Sequence, residues 1–478
     1  MRTSRLLCAL LLGSALAGCT AVGPDFHAPA TPVTPGYAMA GDAAPGAGAA
    51  LGAPRGGPWW KAFGPPALDQ VEAQALNDSP TLAEADAALG EARAALTAAR
   101  GGLLPSLSAN AGAQRERINL ASFGFNAASL PGFSNNPEFS LYSVGAAVAF
   151  PLDIFGGQRR RVEGAAARAE STARRGDAAA LALTGQVATA AVQAAGLKAE
   201  IQAVETMIAD DRQTLELTRK AEAAGGEAEG ARVSATTQLA HDEALLPPLR
   251  QMLAVARHQL ALLVGKAPAD WTPPDFDLAD FRAGAAPVAL PSDLVHFRPD
   301  IQQAEADLHA ATADVGVATA ALYPSISLTA ALTQSSLTPD KIFALPSTAY
   351  NLGPTVTAPI FDGGRLRAER ESARAAVRES LASYRQTVLV AFNQVADRLQ
   401  ALANDDAAVL AEGRSETAAL SNLKLARAAY QAGGTGLLPL VDAERQAGDA
   451  RRSKVAAQTR RALDTVELII ASGARWRG

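Results

Sequence analysis

A catalyst or a metal centre needs reactive side chains gathered at set spacings, and this chain offers few. Its 5 histidines (His27, His241, His258, His296 and His309) include no His-Glu-x-x-His run and no pair at metal-ligand spacing. Lys266 follows a glycine in "VGKAP", but Leu260 stands where a phosphate-binding loop requires glycine, and Ala267 where it requires Ser or Thr. No Gly-x-Ser-x-Gly elbow offers a serine nucleophile. What remains is Cys19, able to accept an acyl chain, and a tyrosine and an acid flanking a glycine turn: Tyr430, Gly433, Gly434 and Asp442 in "AAYQAGGTGLLPLVDAE". The sequence reads as a non-enzyme without metal or cofactor, its one covalent group a lipid on Cys19.

Cys19 owes that reading to what precedes it. "MRTSRLLCALLLGSALAGC" has Arg2 and Arg5, an apolar run and then small residues, the three-part pattern of an export signal at residues 1–18. Leu16-Ala17-Gly18-Cys19 is similar to the bacterial lipobox, at which the cysteine becomes the lipidated first residue. Cys8 and Cys19 are the only cysteines, so the body holds neither a disulfide framework nor a thiolate metal site. Thr20 is not the aspartate that usually signals inner-membrane retention, which favours the outer membrane. Residues 19–58, rich in Pro, Gly and Ala, read as a lipid-anchored flexible tether ahead of a body at 59–478.

The chain has 478 residues, 48% hydrophobic but only 5% aromatic, which points to close-packed helices rich in alanine and leucine. A formal charge of −5 leaves no basic excess for a phosphate backbone, so nucleic acid is an unsuitable partner. After the signal no run approaches the ~20 consecutive apolar residues of a membrane-spanning helix. A chain of this kind can cross a bilayer only as strands.

The elements that position the glycine turn come twice. "SPTLAEADAALGEARAALTAARGGLLPSLSANA" from Ser79 aligns without a gap on "RPDIQQAEADLHAATADVGVATAALYPSISLTA" from Arg298; "FPLDIFGGQRRR" echoes "APIFDGGRLRAE", and "LTRKAEAAGG" echoes "LARAAYQAGG". Repeat one covers about 66–265, a Pro-rich connector 266–291, and repeat two about 292–475. Each half reads as a helix, a strand, a loop, a strand, a very long helix, a Gly-Gly break (Gly225-Gly226, then Gly433-Gly434) and one returning helix. Strands are expected at about 105–115, 140–151, 325–335 and 350–360, because Leu107, Ala109, Ala111 and Ala113 alternate with Ser106, Ser108, Asn110 and Gly112, and Ile326, Leu328, Ala330 and Leu332 do likewise. That length suits tilted membrane strands. Four strands of a soluble sandwich are the alternative, but in hydrocarbon four strands have open edges and cannot close, so the membrane reading requires an oligomer.

In the long helices, positions 183, 187, 190, 194, 197, 201, 204, 208, 211 and 215 follow coiled-coil spacing and are apolar except for Asp211. Positions 377, 381, 384, 388, 391, 395, 398 and 402 repeat the pattern, with Arg398 as the exception. A helix over about 158–224 would be roughly 100 Å long.

The lipobox followed by "VGPDF", the "WWKAFGPPALDQ" opening, the doubled Pro-Ser strand starts, "FPLDIFGG", "APIFDGG" and "YQAGGTGLLPLVDAERQ" together resemble the outer-membrane efflux protein family, in its lipoprotein branch of NodT-like outer-membrane factors. The resemblance implies a mainly α fold with a small β part: a homotrimer whose twelve-stranded transmembrane β-barrel, four strands per chain, continues into an α-helical barrel in the periplasm. It also implies the passive exit duct of a tripartite efflux pump for small molecules or drugs. Its partners would be a periplasmic adaptor (membrane fusion protein), an inner-membrane RND transporter and outer-membrane lipid. A protein-secreting type I duct and a lipid-anchored coiled-coil scaffold stay open as alternatives; a copper duct is disfavoured by having only 4 methionines.

By the same resemblance, Tyr430 and Asp442 would constrict the periplasmic mouth, where copies of Asp442 around a three-fold axis attract cations. Gly225, Gly226, Gly433 and Gly434 would form the tips to which the adaptor docks. Thr435 replaces an arginine that some relatives carry just past the turn. In the first half Ser234 stands where Asp442 would fall, with Glu227 and Glu229 supplying acid.

Overall fold

The computed structural model describes residues 21–30, 34, 36–39, 41, 49–51, 57–124, 136–281, 286–288 and 291–474. The signal at 1–18, the lipidation residue Cys19 and, within the 19–58 tether, residues 20, 31–33, 35, 40, 42–48 and 52–56 lie outside the described residues. In chain order the elements are β1 (Ala49–Leu51), α1 (Trp60–Phe63), α2 (Pro66–Asp78), α3 (Pro80–Gly101), β2 (Ser106–Arg117), β3 (Glu138–Leu152), α4 (Gly157–Ala223), α5 (Glu229–Glu243), α6 (Leu246–Leu263), β4 (Ala286–Val288), α7 (Pro291–Phe297), α8 (Pro299–Ala320), β5 (Ser325–Ser336), β6 (Thr348–Thr357), α9 (Arg365–Gln431) and α10 (Leu437–Ala471). Lengths match between halves: 22 residues in both α3 and α8, 12 in both β2 and β5, 67 in both α4 and α9. The chain divides into two compact units, one of residues 1–28, 90–170 and 306–382, the other of 29–89, 171–305 and 383–478.

The first unit carries an antiparallel sheet in the order β2-β3-β5-β6. Its register puts directly opposed residues on one face, which collects Leu107, Ala109, Ala111 and Ala113 from β2 with Val148, Ala146, Val144 and Tyr142 from β3. Leu328, Ala330 and Leu332 of β5 and Pro354, Leu352 and Tyr350 of β6 extend the same face. The other face is small and polar: Ser108, Asn110, Ser327, Thr329, Asn351 and Thr355. β6 ends at Thr357, short of the expected 360, because its partner β5 begins at Ser325, which pairs with Thr357 and closes the ladder.

Each strand-to-helix turn is built around an aspartate. Asp153 accepts the backbone N–H of Gln158 (2.9 Å) and Arg159 (2.8 Å), while Asp362 accepts those of Gly364 (2.9 Å) and Leu366 (2.8 Å). These carboxylates satisfy the orphan donors at the starts of α4 and α9. The backbone turns through Gly156 at φ 75° and Gly363 at φ 67°, where a side chain would be strained. Composition assigned the whole of 19–58 to a tether, but Ala21–Ala28 belongs to this unit: Val22 N–H donates to the Phe155 carbonyl at 3.0 Å, and Phe26 stacks on His309 with ring centres 4.4 Å apart. Proline and glycine content carries no information about specific docking contacts.

In the second unit α4 through α10 bury the expected seam. Leu183, Val187, Ala190, Ala194, Ile201, Val204, Ile208, Asp211 and Leu215 are all buried, as are Tyr384, Val388, Ala391, Val395 and Leu402 of α9. Within α4 an 18-residue window reaches a mean hydropathy of 1.3 and 67% of it is buried in the protein, so its apolar side chains serve helix packing. Trp59, Trp60, Phe63, Leu68, Leu260 and Leu294 complete the largest core, with Trp59 Nε1 donating to Thr184 Oγ1 at 3.2 Å. The first half's return is two helices, α5 and α6, and not the single one expected. Pro247 and Pro248 lack N–H groups and prevent an unbroken helix there, whereas α10 returns in one piece of 35 residues.

Candidate functional site

Two features emerge from this arrangement: the glycine-turned ends of the long helices and the apolar sheet face. Both helix ends have the same geometry. Gly225 N–H donates to Glu222 O (2.9 Å) and Gly226 N–H to Ala221 O (2.8 Å); Gly433 N–H donates to Tyr430 O (3.0 Å) and Gly434 N–H to Ala429 O (2.8 Å). With Gly225 at φ 75° and Gly433 at φ 70°, each is a Schellman end that only glycine adopts without strain. Of the four glycines named from sequence, Gly225 and Gly433 take the positive φ of two like turns, and Gly226 and Gly434 follow them.

Tyr430 and Asp442 have different surroundings in the structure. Tyr430 is half-buried against Leu423, Leu440, Leu215 and Leu437, and its hydroxyl lies 3.5 Å from Thr218 Oγ1. Asp442 is exposed one turn into α10 and accepts from Arg445 Nη2 (2.8 Å) and Gln446 Nε2 (2.7 Å). Arg445, which sequence reading did not single out, supplies a local cation although Thr435 does not. Glu229 lies in the first turn of α5 and pairs with Arg232.

Deeper in the same bundle lies a network that sequence reading also missed. Arg427 Nη2 donates to Asp210 Oδ1 and to Glu444 Oε1, both at 3.0 Å; Thr214 Oγ1 donates to Glu444 Oε1 at 2.7 Å, and Arg451 Nη1 to Asp210 Oδ2 at 3.3 Å. Burial raises the Glu444 carboxyl above its usual range, although the bonds from Thr214 and Arg427 oppose the shift. Among the described residues no group of His, Cys, Asp and Glu is arranged to hold a metal ion.

The sheet face is the second feature. Leu107, Leu352 and Tyr350 are 75%, 80% and 84% exposed although they belong to one contiguous apolar surface. On β3 that surface runs from Tyr142 to Leu152, about 34 Å along the strand and about 25 Å once tilted by ~45°, the height of an outer-membrane apolar band. Beyond Tyr142 it gives way to Arg115, Arg117 and Glu138, whose ion pairs measure 3.4 and 3.7 Å.

A four-stranded sheet with one exposed apolar face, in a chain with paired long helices and glycine tips, fits an outer-membrane channel protein. The family model described as "Outer membrane efflux protein" matches residues 72–266 and 290–474, and the chain belongs to that family, which is one of channel proteins. It is 30% identical to the pyoverdine export outer membrane protein OpmQ of Pseudomonas aeruginosa, over 88% of this chain and 87% of that one. It is 29% identical to nodulation protein T of Rhizobium leguminosarum bv. viciae, over 97% and 92%. The outer-membrane channel OprN superposes with a TM-score of 0.86 at 28% identity, over 96% of this chain and 100% of that one.

Proposed function

We propose that this chain is one third of a passive outer-membrane duct for small molecules, the exit of a tripartite efflux pump. The observation that carries this reading is the sheet: one face apolar across all four strands, and outer edges of β2 and β6 unpaired among the described residues. In hydrocarbon an open edge leaves backbone N–H and C=O groups unsatisfied at several kcal/mol each. Three chains edge to edge give a twelve-stranded barrel with Ser, Thr and Asn lining the lumen. α3 supports the same assembly, since none of its residues is buried within the chain.

The equal lengths of α3 and α8, of β2 and β5 and of α4 and α9 support a two-fold internal repeat, so three chains would present six similar hairpins around the helical tunnel. The tips at Gly225-Gly226 and Gly433-Gly434 are the docking points for a periplasmic adaptor, behind which stands an RND transporter in the inner membrane. Asp442 faces the mouth, and Tyr430 supports it from within the packed tip. Acyl chains on Cys19 insert beside the barrel, since Ala21, two residues on, begins the strap Ala21–Ala28 that docks on the sheet-bearing unit. The names of relatives, a pyoverdine exporter and the toluene efflux pump protein TtgC of Pseudomonas putida, support small-molecule cargo.

The test is electrical. Purified full-length protein in planar bilayers is expected to give discrete conductance steps; a membrane that stays silent across several preparations contradicts a duct.

A further inference from the structure

The helix seams contain two acids where coiled-coil packing calls for apolar side chains. Asp211 is the polar member of the α4 series, and the α9 series extended three residues past Leu402 reaches Asp405. Both are only 5% exposed. Across the hairpin each faces a second buried carboxyl, Asp242 of α5 for Asp211 and Asp464 of α10 for Asp405. Among the described residues no donor group reaches Oδ2 of Asp211 or Oδ2 of Asp405. A carboxyl so placed needs a proton of its own to bond its partner.

The surroundings do not supply the missing cation. Around Asp211 stand Asp210 of α4 and Glu444 of α10, with Arg427 and Arg451 already bonded to those acids, while Gln238 Nε2 donates to Asp242 Oδ2 at 3.1 Å. Arg212 is held outside by Glu243 at 2.7 Å. Around Asp405 stand Asp406, engaged by Arg461 at 2.5 Å, and Arg460, whose charge works against the shift. Arg398 is divided between Asp464 (2.8 Å) and Glu467 (2.5 Å). Asp211 lies fourteen residues before Gly225 and Asp405 twenty-eight before Gly433. The pairs therefore clamp their hairpins at different heights, about 21 Å apart along equivalent helices.

Burial first, then the bond and charge of Asp242 and the charges of Glu444 and Asp210, push Asp211 up to about 8. Burial first, then Asp464, push Asp405 up to about 7. A hairpin that parts lets water in and returns each acid to its ordinary value near 4. Between that value and the raised one, the closed hairpin binds one proton more than the open one. The raised carboxyl therefore favours closure in acid, and closure weakens as pH rises, the opening constant growing about tenfold per pH unit until the raised value is reached.

We propose that Asp211–Asp242 and Asp405–Asp464 are proton-sharing clasps that make the grip of the two helical hairpins pH-dependent, tight in acid and loosened in mild alkali. The proposal stands apart from the duct reading: it concerns each hairpin's opening, which exchange reports whether or not the protein conducts.

Amide hydrogen exchange on the full-length protein in lipid nanodiscs, from pH 5.5 to 7.5, tests it. Protection factors of α4 amides around Asp211 should fall about tenfold per pH unit. D211N should make them flat, D242N should make the slope shallower by removing the partner's share of the shift while burial remains, and D405N should flatten only the α9 region around its own site while the α4 slope persists. Flat wild-type protection, or an unchanged slope in both D211N and D242N, overturns the proposal. If D211N fails to fold, the D242N slope decides.

Discussion

Arg160, 96% buried by its exposure of 4%, donates from Nη2 to Asp25 Oδ1 at 2.6 Å and so ties the first described residues of the chain to the start of α4. Its Nη1 reaches Glu163 at 2.7 Å, and Glu163 in turn meets His309, the ring on which Phe26 stacks. Gly23, at φ 94°, lies so close to α8 that a Cβ there would come within 2.5 Å of the Gly316 Cα. Strap, turn and helix thus share one contact, and the strap is part of the fold.

Loss of that contact should free the strap. R160M and G23A are both expected to speed limited proteolysis within residues 21–30 by about tenfold, with little change in the sheet's circular dichroism. The Arg160 bond and charge hold the Asp25 carboxyl below its ordinary range. A lowered carboxyl stabilises above its unfolded pKa and loses that effect as pH falls through the folded one. The wild-type strap should therefore stay docked through mild acid and become cleavable only in strong acid, as a pepsin digestion series would show.

Glu72 presents the opposite sign. It is fully buried beside Leu68 and Val71, and neither carboxyl oxygen has a partner. Burial, reinforced by the charge of Asp69, holds its carboxyl well above the usual range. A raised carboxyl costs stability as pH climbs above the unfolded value. E72Q should remove that slope and be more stable than wild type at pH 8, with the difference shrinking toward pH 5, read from denaturant unfolding at the two pH values.

Asp442 and Tyr430 separate by readout. D442A removes an exposed acid and releases Arg445, so cation preference in bilayer recordings should fall or reverse. Y430F keeps the ring that packs on Leu423 and Leu440 and should leave ion preference unchanged. An unaltered reversal potential in D442A would take Asp442 out of the mouth.

Periodicity made the long helices and the strand faces legible, because both repeat the same choice of side chain many times: the seam of α4 reads directly from Leu183 to Leu215. Single contacts left no such trace. Nothing in "VGPDF" shows that its aspartate finds Arg160 across the chain, and Glu72 looks like an ordinary surface acid on an amphipathic helix. Pro247 and Pro248 mark the interruption between α5 and α6, since neither has an N–H to continue a helix. Asp211 stood out as the polar exception in an apolar series, whereas its partner Asp242 lies on a different helix and could not be paired with it by spacing. Tyr430 and Asp442 are neighbours in sequence around a turn, but only the fold decides that one ring packs inward and one carboxylate points out.

The barrel claim has a direct test in the two sheet edges. After removal of the signal the sole native cysteine would be the acylated Cys19, so N110C on β2 can be combined with single cysteines at Ala349, Asn351 or Thr355 on β6 without a competing thiol. Oxidation in isolated outer membranes should yield covalent dimers and trimers from at least one pair on non-reducing gels. Bridges formed solely within one chain would mean that the sheet closes on itself, and would contradict the account.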